Sequence, residues 1–100
     1  MPLSVAESND GNTVTLKLPN EFDFRLHKEF REAHKDVKAG TEFILDFGQT
    51  EHMDSSALGM LLLLREEQGN DDANVKIVNC RDNIKSLLEM ASFNLLFKVV

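Results

Sequence analysis

Tryptophan and tyrosine are absent from this chain, cysteine occurs once, and the longest uninterrupted apolar run, Met60 to Leu64, has five residues. Each shortage excludes something. A bilayer span needs roughly 18 to 20 consecutive apolar residues, so membrane insertion is not expected. A single cysteine, Cys80, cannot close an internal disulfide, as suits a reducing compartment. Cys80 follows the apolar run Val75 to Val78 and reads as a small core residue at a strand end, because no cluster of cations flanks it to lower its pKa. The start, Met1-Pro2-Leu3-Ser4-Val5, has neither the basic residues nor the apolar core of a signal peptide. Together these features lead to the expectation of a soluble, cytoplasmic protein.

Positive charge is also scarce. Lys and Arg number 11 against 17 Asp and Glu, a formal net charge of −6, and the basic residues are scattered. Phosphate backbones are bound through clustered cations, so direct nucleic-acid binding is disfavoured. Base-stacking side chains reduce to seven phenylalanines, which mostly fall in apolar patterns. What is present is a 42% apolar chain of 100 residues, enough for one hydrophobic core and one domain over residues 1–100.

The order of elements follows from periodicity. Leu3 and Val5, then Val14, Leu16 and Leu18, recur at every second position, the period of half-buried strands. The turn-forming run Ser8-Asn9-Asp10-Gly11-Asn12 joins them into a hairpin. Leu26, Phe30, Ala33 and Val37 share one helical face, and Gly40 stands where a helix ends. Phe43 to Phe47 is apolar almost without alternation, which predicts a central strand covered on both faces. Gly48 to Met53 reads as a loop, Ser55 to Gln68 as a helix, and Val75 to Val78 as a strand. Strand, helix and strand with short links predict a right-handed βαβ unit. A last helix begins near Asp82, and Leu95 to Val100 has room for a helical turn and an edge strand. The predicted class is α/β: a mixed central sheet packed with helices, in the order ββαβαβα with a final short strand.

Few residues suggest catalysis. The five glycines stand alone, so there is no phosphate-binding loop. His27, His34 and His52 complete no metal-ligand pattern and read as solvated surface residues. Asp54-Ser55-Ser56-Ala57 lacks the flanking glycines of a nucleophile elbow. No enzymatic activity, cofactor or metal is expected.

The informative stretch is Met53-Asp54-Ser55-Ser56-Ala57-Leu58-Gly59-Met60-Leu61-Leu62-Leu63-Leu64-Arg65. Asp54, Ser55 and Ser56 stand at a helix start, where each can cap free backbone N–H groups. A serine there can also carry a phosphate, because those N–H groups and the positive end of the helix dipole favour an anion. The helix that follows is apolar nearly all round, more than one buried face requires, so part of Leu58, Met60 and Leu63 is expected to remain exposed as a partner surface.

Ile44-Leu45-Asp46-Phe47, a short loop and Met53-Asp54-Ser55-Ser56-Ala57-Leu58-Gly59 resemble the signature of STAS domains of the bacterial anti-sigma-factor antagonist type. Glu21-Phe22-Asp23-Phe24 is similar to the acidic position before their first helix, and Leu87 to Phe97 to their closing segment. The resemblance spans essentially the whole chain and implies a STAS domain over residues 1–100. It further implies phosphorylation of Ser55, with Ser56 the alternative, by a serine-protein kinase that doubles as anti-sigma factor, and reversal by a PPM-class phosphatase. Asp23, Asp54, Ser55, Ser56, Leu58, Met60 and Leu63 then form the partner surface. Ala57 and Asn20 replace glycines frequent in the family. Alanine favours the helix by about 0.8 to 1 kcal/mol over glycine, and asparagine tolerates left-handed dihedrals, so both replacements are mild. A phosphate at Ser55 would join a rim of Asp23, Glu51 and Asp54 and repel the partner. The alternative is a constitutive scaffold subunit of a transporter or signalling complex, whose serines only cap the helix.

Overall fold

The computed structural model describes residues 3–100. Ser4–Glu7 (β1) and Thr13–Lys17 (β2) form the expected antiparallel hairpin. Its turn is held by Asp10, whose Oδ1 accepts from the Ser8 hydroxyl at 2.6 Å and from the Asn12 amide at 3.0 Å. Gly11 supplies the left-handed residue, with φ of +74°. β1 departs from expectation in its burial. Val5 lies opposite Leu16 but is 55% exposed, because β1 is the sheet edge and packs mainly on β2.

After Glu21–Phe22 (β3), a 3₁₀ turn over Phe24–Leu26 leads into the helix His27–His34 (α1). Leu26 and Phe30 are buried, while Ala33 and Val37 pack partly against the core. The helix ends a turn earlier than Gly40 suggests. The Val37 amide donates to the His34 carbonyl at 3.2 Å, and Gly40 instead turns the chain into the next strand with φ of +92°.

Glu42–Asp46 (β4), His52–Met53 (β5), Ser55–Glu67 (α2), Asn74–Val78 (β6), Asp82–Met90 (α3), a 3₁₀ turn over Phe93–Leu95 and Lys98–Val99 (β7) complete the chain. The main sheet has the order β1-β2-β4-β6-β7, in which all neighbours but the β1–β2 pair are parallel. Three helices therefore serve as crossovers, where the apolar spacing predicted one βαβ unit.

The registers align two apolar rows on one face of this sheet: Val14, Phe43 and Val75, then Leu16, Leu45, Ile77 and Val99. All but the half-buried Val99 are buried, and each such side chain contributes about 1.5 to 3 kcal/mol of transfer energy. The opposite face is more open. Ile44 is only half-buried, so β4 is covered fully on one face rather than two. Polar side chains occupy part of that face, where Thr13 Oγ1 donates to Glu42 Oε1 at 3.1 Å and Lys76 Nζ lies 3.6 Å from Glu42 Oε2. Phe22 joins the core below the helices, with ring centroids 5.4 Å from Phe30 and 6.0 Å from Phe47.

One expectation about the histidines is overturned. His27 and His52 are exposed, but His34 is 1% exposed, packed edge-on to Phe30 with centroids 5.2 Å apart. It lies one turn beyond Phe30 on the same face, which the core covers. Its Nδ1 is 3.0 Å from Glu67 Oε1 on α2, yet neither ring nitrogen has an aligned hydrogen-bond partner. Burial pushes its pKa below the ordinary value of 6.5, the nearby Glu67 charge opposes that shift, and Arg31 adds to it.

Candidate functional site

The segment Gly48 to Met53, expected as a loop, contains a strand that builds the site. β5 pairs in parallel with β3, setting Glu21 opposite His52 and Phe22 opposite Met53. Strands of two residues carry no readable period. Loop contacts hold this pairing in place: the Asn20 carbonyl accepts from the Glu51 amide at 2.8 Å and the His52 amide at 3.0 Å, and the buried Thr50 hydroxyl donates to the Pro19 carbonyl at 2.9 Å. Asn20 is not among the residues with positive φ, so the tolerance for left-handed dihedrals expected of it goes unused, and its carbonyl is what matters.

The chain leaves β3 at Asp23 and β5 at Asp54, side by side, and each aspartate caps the helical turn that follows. Asp23 Oδ1 accepts from the Arg25 amide at 2.9 Å. Asp54 Oδ1 accepts from the Ala57 amide at 3.1 Å. Both line an open cleft of about 220 Å³ together with Glu21, Phe22, His52 and Met53. A second cleft of about 490 Å³, lined by Pro19, Asn20, Glu21, Asp23, Arg25 and Leu26, adjoins it through Glu21 and Asp23.

The two serines differ. The Ser56 hydroxyl donates to Asp54 Oδ1 at 2.6 Å and is committed to the cap. Ser55 is exposed, and its hydroxyl has no hydrogen bond among the described residues. Ala57 is fully buried, so its methyl belongs to the core. Further along α2, Ala57, Met60, Leu61 and Leu64 are buried, and Leu58 and Leu63 are half-buried. Met60 therefore belongs to the core at 5% exposure and not to an exposed patch, because it points with Leu61 and Leu64 toward the sheet. The apolar side chain that α2 leaves open is Leu62, at 42%.

The rim also differs from the expected trio. Glu51 turns toward the start of α3, with its carboxylate 3.7 Å from Arg81 and its carbonyl accepting from Asn83 Nδ2 at 2.9 Å. Glu21 takes its place beside Asp23. Arg25 bridges these two acids: its Nη2 lies 2.7 Å from Asp23 Oδ2 and 2.6 Å from Glu21 Oε1, and its Nε is 3.0 Å from Asp23 Oδ1. The guanidinium holds the Asp23 carboxyl below the usual carboxylate range, and Asp23 in turn raises the pKa of Arg25. Phe24, 66% exposed and stacked on His27 at 5.4 Å, stands beside this rim. Neither Arg25 nor Phe24 is marked by spacing alone, since exposure here is set by the short 3₁₀ turn.

Among the described residues no group of three or more His, Cys, Asp or Glu could hold a metal ion. No helix there is long and apolar enough to cross a membrane. Cys80 is half-buried just past β6, and burial pushes its thiol pKa up.

The profile of the STAS domain matches residues 4–100. The chain belongs to the STAS domain family. A STAS-domain containing protein of Pseudomonas aeruginosa (strain UCBPP-PA14) is 35% identical over 100 residues, covering 99% of each chain. Solved structures share the fold of this STAS domain at low identity. A proposed anti-sigma factor antagonist of Thermotoga maritima superposes with a TM-score of 0.78 at 16% identity, covering 97% of this chain and 84% of that one. The anti-sigma factor antagonist SpoIIAA in its unphosphorylated form gives a TM-score of 0.68 at 18% identity, covering 88% and 82%. The phosphorylated form of SpoIIAA, from Bacillus, gives 0.67 at 16%, covering 98% and 90%.

Proposed function

We propose that this STAS domain is a phosphorylation-switched antagonist of an anti-sigma factor with serine-kinase activity. In this reading the unmodified domain binds the partner through Ser55, the outer face of α2 and the rim at Asp23 and Asp54. The partner transfers a phosphoryl group from its nucleoside triphosphate to the Ser55 oxygen, the serine proton leaves to a base of the kinase, and the complex separates. A PPM-class phosphatase restores the serine.

The observation that carries the reading is the contrast between the serines: Asp54 caps the helix and engages Ser56, leaving Ser55 exposed with an uncommitted hydroxyl. In a scaffold whose serines only cap the helix, both hydroxyls are expected to be engaged in the cap. A phosphate on Ser55 is tolerated by the domain itself, since the first amides of α2 and the helix dipole favour an anion. It is not tolerated by a close-fitting partner. The modification adds about −1.5 to −2 charges beside Glu21, Asp23 and Asp54. A hundredfold loss of affinity requires about 2.7 kcal/mol, less than an unpaired charge costs when buried at an interface.

The test compares wild type, Ser55→Ala and Ser55→Asp as baits in native cell extract, with mass spectrometry of bound proteins and of phosphorylated sites. The expected result is capture of a serine kinase by wild type and Ser55→Ala, loss with Ser55→Asp, and phosphate at Ser55. Equal capture by all three, or phosphate only at other residues, overturns the proposal.

A further inference from the structure

Arg25 is the cation nearest the acceptor rim, and its present bonds are of a kind that can be exchanged. It is 74% exposed, so no packing holds its guanidinium in place. Of its two acids, Glu21 is 53% exposed and is readily hydrated if released. Asp23 keeps a second partner, the Arg25 amide at 2.9 Å, so the cap of the 3₁₀ turn survives departure of the guanidinium. Asp23 also faces both clefts, the larger containing Arg25 and the smaller containing Asp54. β3 and β5 end in register at Phe22 and Met53, and neighbouring strands lie about 4.8 Å apart, so Asp23, which holds Arg25, and Asp54, which adjoins Ser55, leave the two strands beside one another.

We infer that Arg25 receives the Ser55 phosphate, leaving Glu21 and Asp23 and crossing the smaller cleft to pair with it. This rests on the proposed reading of Ser55 as the acceptor and adds how the modification is transmitted. A phosphate dianion offers three strong acceptor oxygens and twice the charge of a carboxylate, and the planar fork of a guanidinium matches it with two parallel bonds. When Arg25 moves, Glu21 and Asp23 lose their counter-charge. The partner then meets two bare carboxylates beside the modified serine, so one phosphate alters a rim wider than its own contact area. Arg25 is in this sense a positioning residue for the switch.

The experiment installs phosphoserine at position 55 of the full chain during translation by an expanded genetic code, which requires no kinase. The second ionisation of the phosphate is followed by ³¹P NMR in wild type, Arg25→Gln and Arg25→Lys at low and high salt. The expected titration in Arg25→Gln lies about one unit above that of wild type at low salt, with Arg25→Lys between them and the differences shrinking at high salt. In parallel, the ¹⁵Nε resonance of Arg25 is expected to move on phosphorylation. Coincident titrations of wild type and Arg25→Gln, or an unmoved Arg25 resonance, overturn the inference. Because the phosphate is installed synthetically, such a failure is separate from failure of the cellular test: Ser55 can be the native acceptor without Arg25 receiving its phosphate.

Discussion

Replacing Gly59 with alanine should make the domain more stable and a poorer binder. Gly59 lies in the interior of α2, exposed, with no positive φ, and a Cβ built on it meets nothing within 4 Å. Inside the isolated chain a methyl group is therefore free of clash, and only helix propensity remains, about 0.8 to 1 kcal/mol in favour of alanine. Part of that gain arises in the unfolded chain, which loses conformations. For a domain of this length 1 kcal/mol corresponds to a rise in Tm of about 4 to 8 °C. Gly59 follows Ser55 by one helical turn and precedes Leu62 by three residues, so the three share the open face of α2, and under the proposed function the missing side chain would let the partner approach the helix backbone. Overpacking such a contact costs about 1 to 3 kcal/mol, so affinity for the captured kinase should fall about fivefold or more. Thermal melts followed by circular dichroism and calorimetric titration of the partner measure both quantities. A lower Tm would refute the premise that the face is open in the free domain. A higher Tm with unchanged affinity would refute the placement of the partner on that face.

Two further outcomes test the surroundings of the site. His34 has a folded pKa below its ordinary value of 6.5, so the unfolded chain binds a proton that the folded one resists. The associated stability is fully present above pH 6.5 and is lost as pH falls through the folded pKa; urea unfolding of wild type should weaken from pH 7.5 to 5.5, and His34→Gln should flatten that slope. An unchanged slope in the variant would show that other groups cause it. Asp54→Ala removes the acceptor of both the Ala57 amide and the Ser56 hydroxyl. It should cost about 1 kcal/mol in urea unfolding, while Asp54→Asn, also a good cap, should lose little.

The β-hairpin, α1 and α3 are readable from spacing because their apolar residues repeat with the period of the element they form, while β4, β6 and α2 are readable as apolar runs bounded by turn and cap residues. Ser55 stands out as a candidate because helix-start chemistry and a family motif coincide there. Other features have no such periodic signal. β3 and β5 contain two residues each, and their pairing depends on the Asn20 carbonyl and Thr50 hydroxyl reaching across some thirty residues of chain. Met60 sits in an unbroken apolar run, where neighbours of equal hydropathy give no indication of which one faces the sheet. His34 reads as polar surface until the stripe of Phe30 and the contact with α2 place it inside.

Local patterning by itself determined the class of fold, its single core and the helix start that presents a serine, since these follow from hydrophobic period, turn chemistry and capping within a few residues of each other. The tertiary structure alone decided how that serine's surroundings are bonded. Only the folded chain shows that Ser56 is bound to Asp54 and Ser55 is not, that Glu51 turns away, and that Arg25 masks Glu21 and Asp23. These facts depend on distances between side chains from different elements, and hydrogen bonds and ion pairs are decided over a few ångströms that the order of residues does not encode.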